Sequence, residues 1–192
     1  MRQSLLRPAL LAALALFACS PIISGGIAAA DQRDPSLPPL FKFLKTATRP
    51  DEAGLVEDKI WEIWAATGDA ALDHLMIASS DAMAKGDYLA ALDDLNRIVA
   101  KKPDFAEAWN KRATVYYLMG DYQKAIADID QTLKLEPRHF GALSGLGLSN
   151  LKLGNDAAAA DAFRRVIAID PLYPKARENL KLAKDALARN SI

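Results

Sequence analysis

Residues 106–139 read AEAWNKRATVYYLMGDYQKAIADIDQTLKLEPRH, and the order of residue types in this stretch decides the fold. Gly120 can close a first helix in the left-handed conformation that a side chain resists, and Asp121 beside it can cap a second helix. Ala125, five places past the glycine, is small enough to let two helices cross closely, where a larger residue would push them apart. Ile129 and Thr132 follow at helical spacing along one face. Pro137 cannot continue a helix, so the unit ends there. The stretch predicts a helical hairpin.

The pattern recurs without gaps at a period of 34 residues, giving units at 72–105, 106–139 and 140–173. The turns are Gly86-Asp87-Tyr88, Gly120-Asp121-Tyr122 and Gly154-Asn155-Asp156. The small crossing residues are Ala91, Ala125 and Ala159. The stripe after them is Leu95, Ile129 and Phe163, then Ile98, Thr132 and Val166, and the closing prolines are Pro103, Pro137 and Pro171. The first helices carry Leu75, Trp109 and Leu143 at the fourth place, and Ala82, Tyr116 and Asn150 at the eleventh.

Together these positions resemble the tetratricopeptide-repeat family, and the unit at 106–139 matches that family's pattern almost throughout. The resemblance implies an all-α fold, a right-handed superhelix of stacked antiparallel helix pairs. Asn150 departs from the usual aromatic and predicts a small polar spot. Buried Trp, Tyr and Phe of the stripe build the core and carry no chemistry.

Both ends of the array are weaker. Carried backwards, the frame gives a degenerate repeat-like helix pair at 38–71, with Phe41, Leu44, Trp61 and Trp64 as anchors, after a linker at 31–37. It lacks the turn glycine and the small alanine, and reads as a short helix from about Leu40 to Ala47 and a longer one from Asp51 to Ala66, started by Pro50. Carried forwards, it gives a capping helix and tail at 174–192, with Ala176, Leu180, Ala183 and Leu187 inward and Lys175, Arg177, Lys181 and Lys184 outward. Such a cap covers the last apolar face of a stack.

The family resemblance implies a concave groove lined by the first helices, where extended or helical peptides bind. The candidate positions are Met76, Ser80 and Met83 in the first unit, and Asn110, Thr114, Tyr117 and Leu118 in the second. The third unit supplies Ser144, Leu148 and Leu151. Methionines and a tyrosine beside amides and hydroxyls suit a surface that grips apolar side chains and hydrogen-bonds a backbone. Chaperone adaptors of this family clamp a C-terminal carboxylate with Lys, Asn and Arg. Here the matching places hold Met76, Ser80, Lys111, Gly141 and Gly145, so only Lys111 retains a positive group. A carboxylate clamp is disfavoured. Arg138 and His139 at a unit junction read either as a small basic site or, more simply, as a packing wedge beside glycines that allow close helix approach.

Residues 1–30 carry only Arg2 and Arg7 as charges, an apolar run from Ala9, and Ala28, Ala29 and Ala30 before Asp31. This reads as a signal peptide cleaved after Ala30. Two alternatives stay open: lipidation at Cys19 within Leu16-Phe17-Ala18-Cys19, and an uncleaved anchor over Pro8 to Ala30. Each places the domain outside the cytoplasm. The resemblance extends to small exported repeat proteins of Gram-negative bacteria, and implies a periplasmic protein-binding module in envelope assembly or integrity. The rivals are a lipid-anchored structural subunit and a regulator of a cell-wall enzyme.

Basic and acidic side chains number 24 each, which removes the positive field that nucleic acid requires. Removing residues 1–30 leaves 22 basic against 24 acidic groups and no cysteine, since Cys19 is the only one. The chain offers no nucleophile constellation, no histidine pair at ligand spacing and no phosphate loop, so neither enzyme nor cofactor is expected. The acidic pairs Asp93-Asp94 and Asp128 with Asp130 read as solvated helix faces.

Overall fold

The computed structural model describes residues 31–190. The expectations of cleavage after Ala30 and of lipidation at Cys19 concern residues outside that range. Among the described residues the chain is entirely helical, with α1 at Leu37–Thr46, α2 at Pro50–Ala65 and α3 at Ala70–Ala84. Next come α4 at Tyr88–Lys101, α5 at Ala106–Leu118 and α6 at Tyr122–Leu135, then α7 at Phe140–Lys152, α8 at Asp156–Ile169 and α9 at Ala176–Asn190.

Three hairpins, α3–α4, α5–α6 and α7–α8, follow the predicted period. Gly86, Gly120 and Gly154 sit at φ of 77°, 81° and 74°. The amide after each reaches back to close the helix end, as Asp121 N does to Tyr116 O at 2.9 Å. Asp87 and Asp121 cap the second helices by accepting from Ala90 N and Lys124 N. Asn155 makes no such cap. Its amide bonds to Asn150 Oδ1 instead, while Asn150 Nδ2 donates to Leu146 O. The polar spot predicted at Asn150 is thus closed by its own bonds, and the residue is buried.

Ala91, Ala125 and Ala159 are fully buried where the hairpin helices cross, and Leu95, Ile129 and Phe163 lie beyond them. Gly147 lets α7 approach α8 closely, because a Cβ there would stand 2.5 Å from the Phe163 ring. The α5–α6 hairpin also holds a buried ion pair. Arg112 Nε and Nη2 donate to the two oxygens of Asp128 at 2.7 and 2.8 Å, and Arg112 Nη1 reaches Asn96 on α4. Asp128 is therefore no solvated acid, unlike exposed Asp93 and Asp130. Its neighbour across the hairpin compensates its charge.

At the C-terminal end α9 covers α8, with Ala176 and Ala183 buried and Leu180 partly so. Leu187, expected inward, keeps 39% of its surface exposed.

The N-terminal pair forms the expected helices but does not extend the stack as a first repeat. Its main neighbours are α8 and α5, not α3 and α4. Leu37, Phe41 and Leu44 of α1 join Ile60, Ile63 and Trp64 of α2 in one core with Phe140 and Leu143 of α7, Val166 of α8 and Ala176. Without the turn glycine and crossing alanine the pair cannot pack as a repeat hairpin, and its large aromatics find a different partner. Residues 31–37 are likewise no free tether. Gln32 Nε2 donates to Asp104 O, Gln32 Oε1 accepts from Ala106 N, and Arg33 pairs with Asp31 and Asp104.

Candidate peptide-binding face

The first helices α3, α5 and α7 place the predicted groove residues on one side of the stack, where two cavities flank α5. The cavity between α5 and α7 has a volume of about 300 Å³. Asn110, Thr114, Tyr117, Leu118, Ser144 and Leu148 all line it, with Ile129 and Tyr173. No charged side chain lies in its wall. Leu118 is nearly half exposed, and the Tyr117 ring leans on Tyr122 with centroids 5.5 Å apart. An apolar wall with a few amides and hydroxyls is what an inserted side chain and its backbone need.

The second cavity, about 420 Å³, lies between the end of α2, α3 and α5. Met76, Ser80 and Lys111 line it, with Ala65, Ala66 and Ile77. Lys111 Nζ donates to Ser80 Oγ at 3.2 Å, so the one cation at a clamp position is already engaged within the chain. Met83 and Leu151 line neither cavity. Met83 packs against the α3–α4 core, and Leu151 against Phe163 and its neighbours under α9.

Sequence reasoning missed how closely α2 borders this face. Trp61 rests on Gly141, where a Cβ would come within 2.8 Å of ring atom Cζ2, and Gly141 also lines the cavity between α5 and α7. A signal existed: two tryptophans in a unit lacking the hairpin small residues, and a glycine at a groove position.

The junction of units two and three is packing, not a basic site. His139 is fully buried and stacks on Trp64 at 4.0 Å and 11°. Its Nδ1 accepts from Ala142 N and caps α7, which places the proton on Nε2, 3.0 Å from Glu107 Oε2. Glu107 Oε2 also accepts from Asn110 Nδ2 at 2.9 Å. A line of hydrogen bonds thus runs from the groove residue Asn110 to the histidine on which α2 stacks. Arg138 is held by both oxygens of Glu136 and lies over the Phe41 ring.

Farther along α2, Glu57 meets the buried Asp170. Burial and then the neighbouring Asp170 carboxylate push Glu57 up to about 7. Tyr173 beside them is pushed up to about 12, mainly by burial. Among the described residues no group of three or more His, Cys, Asp or Glu is arranged to hold a metal, and no helix is long and apolar enough to cross a membrane.

Comparison with known proteins agrees with this architecture. The tetratricopeptide-repeat family model matches residues 78–128 and 111–174. A TPR repeat-containing protein of Rhizobium etli is 39% identical over 151 residues, covering 79% of this chain and 74% of that protein. The SGT1 homolog of Bos taurus is 37% identical over 94 residues, 49% of this chain but only 28% of its own length. Among solved structures, the first TPR of Spaghetti (RPAP3), bound to the HSP90 peptide SRMEEVD, superposes with a TM-score of 0.60 at 21% identity. It covers 61% of this chain and 93% of that one. The MamA protein superposes with a TM-score of 0.57 at 25% identity, over 60% and 63%. The repeat period, the turn geometry and these matches together establish that the chain belongs to the tetratricopeptide-repeat family.

Proposed function

We propose that this protein is a non-catalytic interaction module that holds a segment of another protein against the face formed by α3, α5 and α7. One observation carries the reading: six predicted groove residues from two successive first helices converge on a single uncharged cavity of about 300 Å³. Such a site receives an apolar side chain, and its flanking hydroxyls and amides serve the backbone beside it. The signal-like segment at residues 1–30 supports an exported, periplasmic setting, hence a partner in the cell envelope.

Photo-crosslinking from position 114, inside the cavity wall, compared with exposed position 123 on α6, tests the binding face. Envelope partners captured from 114 and not from 123 support it, while equal capture from both would sink it. The intact mass of the protein recovered from cells tests the setting. A chain starting at Asp31 is the expected result; a diacylated Cys19 or an uncleaved chain would replace it with a membrane-anchored form.

A further inference from the structure

The cavity between α2 and α3 differs from its neighbour in a way that identifies part of the ligand. Resting on the groove reading above, we propose that it receives a lysine or arginine side chain of the bound segment, next to the apolar residue that enters the cavity between α5 and α7.

The wall is apolar where a long side chain would lie. Met76, Ala65 and Ala66 form it, and Ile77 stands 60% exposed beside them. Glu62, Asp73 and Asp81 are the acids in its lining, against Lys111 as its single base. Lys111 is tied to Ser80. Glu62 is paired with Lys59 Nζ at 2.9 Å, Thr67 engages only Oδ1 of Asp73, and the Asp81 side chain makes no hydrogen bond or ion pair among the described residues. An apolar channel that ends at the open oxygen of Asp73 and the unpaired carboxylate of Asp81 matches one side-chain type: aliphatic methylenes with a cationic head. A carboxylate or an acidic tail would be repelled. The α2 end supplies Glu62, Ala65 and Ala66, so the site exists only because the N-terminal pair folds back along the stack.

Spacing follows from the scaffold. The cavities lie on either side of α5, so they are separated by about one helix diameter, roughly 10 Å. An extended segment covers that in about three residues. The recognised pattern is therefore an apolar residue and a basic residue about three positions apart.

Panning a phage-displayed random-peptide library against the protein tests this. Selected peptides are expected to be enriched in Lys or Arg about three places from an apolar residue, and replacing that base by Gln should weaken binding about fivefold. Asp81→Lys should weaken the basic peptides by a similar factor, and Glu62→Lys by less, because Glu62 is already paired with Lys59; both positions are exposed. Binders that lose affinity with Tyr117→Ala but are indifferent to both charge reversals and to the loss of their own base would overturn this inference and leave the groove standing. Binders indifferent to all three substitutions, or a library that enriches nothing, would overturn both readings.

Discussion

The three repeat hairpins and the N-terminal pair reach the same helical content by opposite means. In the repeats, small residues at fixed places let neighbours close on each other, so every important contact lies within one period or between adjacent units. The N-terminal pair has no such places and is held by large rings that meet the junction of the second and third repeats far along the chain. Trp64 stacks on His139, Phe41 meets Phe140 edge-on at 6.5 Å, and Trp61 fills the space above Gly141. Local packing gives a stack that can be extended or shortened. Distant aromatic packing gives a single strap that ties the stack's middle to its end and walls one of the two cavities.

The sharpest way to break this contrast is Trp64→Ala. The indole is 1% exposed and its Nε1 has no hydrogen-bond partner among the described residues, so its contribution is packing. Deletion should cost about 4 kcal/mol. The loss should be confined to the strap: proteolysis at the Ala47–Arg49 connection should accelerate while helicity of the repeats persists. Global unfolding in one step would show instead that strap and stack are a single cooperative unit.

Within the stack, Arg112→Ala should cost about 3 kcal/mol by leaving Asp128 buried without its partner. Asp128→Asn should cost less, because it removes the buried charge as well as the pair. Equal losses in urea unfolding would mean that the ion pair is effectively solvated. Gly147→Ala is smaller again, about 2 kcal/mol, since the added methyl must displace the Phe163 ring between α7 and α8. A neutral or stabilising result would show that this helix crossing relaxes freely.

What could be read in advance divides along the same line. Caps, turn glycines and crossing alanines recur with the period, so each is supported by its copies, and Asn110, Thr114, Tyr117, Leu118, Ser144 and Leu148 line one cavity. The strap has no copy. Its helices were legible from Pro50 and the apolar spacing, but where they dock depends on Phe140 and His139, some 75 residues away. The same limit hid the Arg112–Asp128 pair, because an acid among lysines and arginines on a helix gives no sign of which neighbour turns inward. Met83 and Leu151 line neither cavity and pack on neighbouring cores, because position in a repeat fixes a direction, not whether a neighbouring core takes the side chain first.

The finest test uses pH to separate strap from stack. Glu57 on α2 loses hydration on docking and faces Asp170 at the end of α8, Tyr173 in the following turn and Asp58 on its own helix; its pKa is raised from 4.5 to about 7. A carboxyl raised on folding holds its proton more tightly in the folded state, so its contribution is fully present below about pH 4.5 and is lost as pH rises through about 7. The group is only partly buried, so with solvent screening allowed for, the effect is on the order of 1 kcal/mol. That is well below what Trp64 and its neighbours contribute, so the strap should loosen but stay docked at neutral pH. Glu57→Gln keeps the shape and the hydrogen-bond donor without the titration. Urea midpoints followed by tryptophan fluorescence, which reports chiefly on Trp61 and Trp64, should show wild type losing stability relative to this variant between about pH 5 and pH 8. If the difference between the two proteins is flat across that range, Glu57 is solvated in the folded state and the end of the strap is not seated against Asp170 as described.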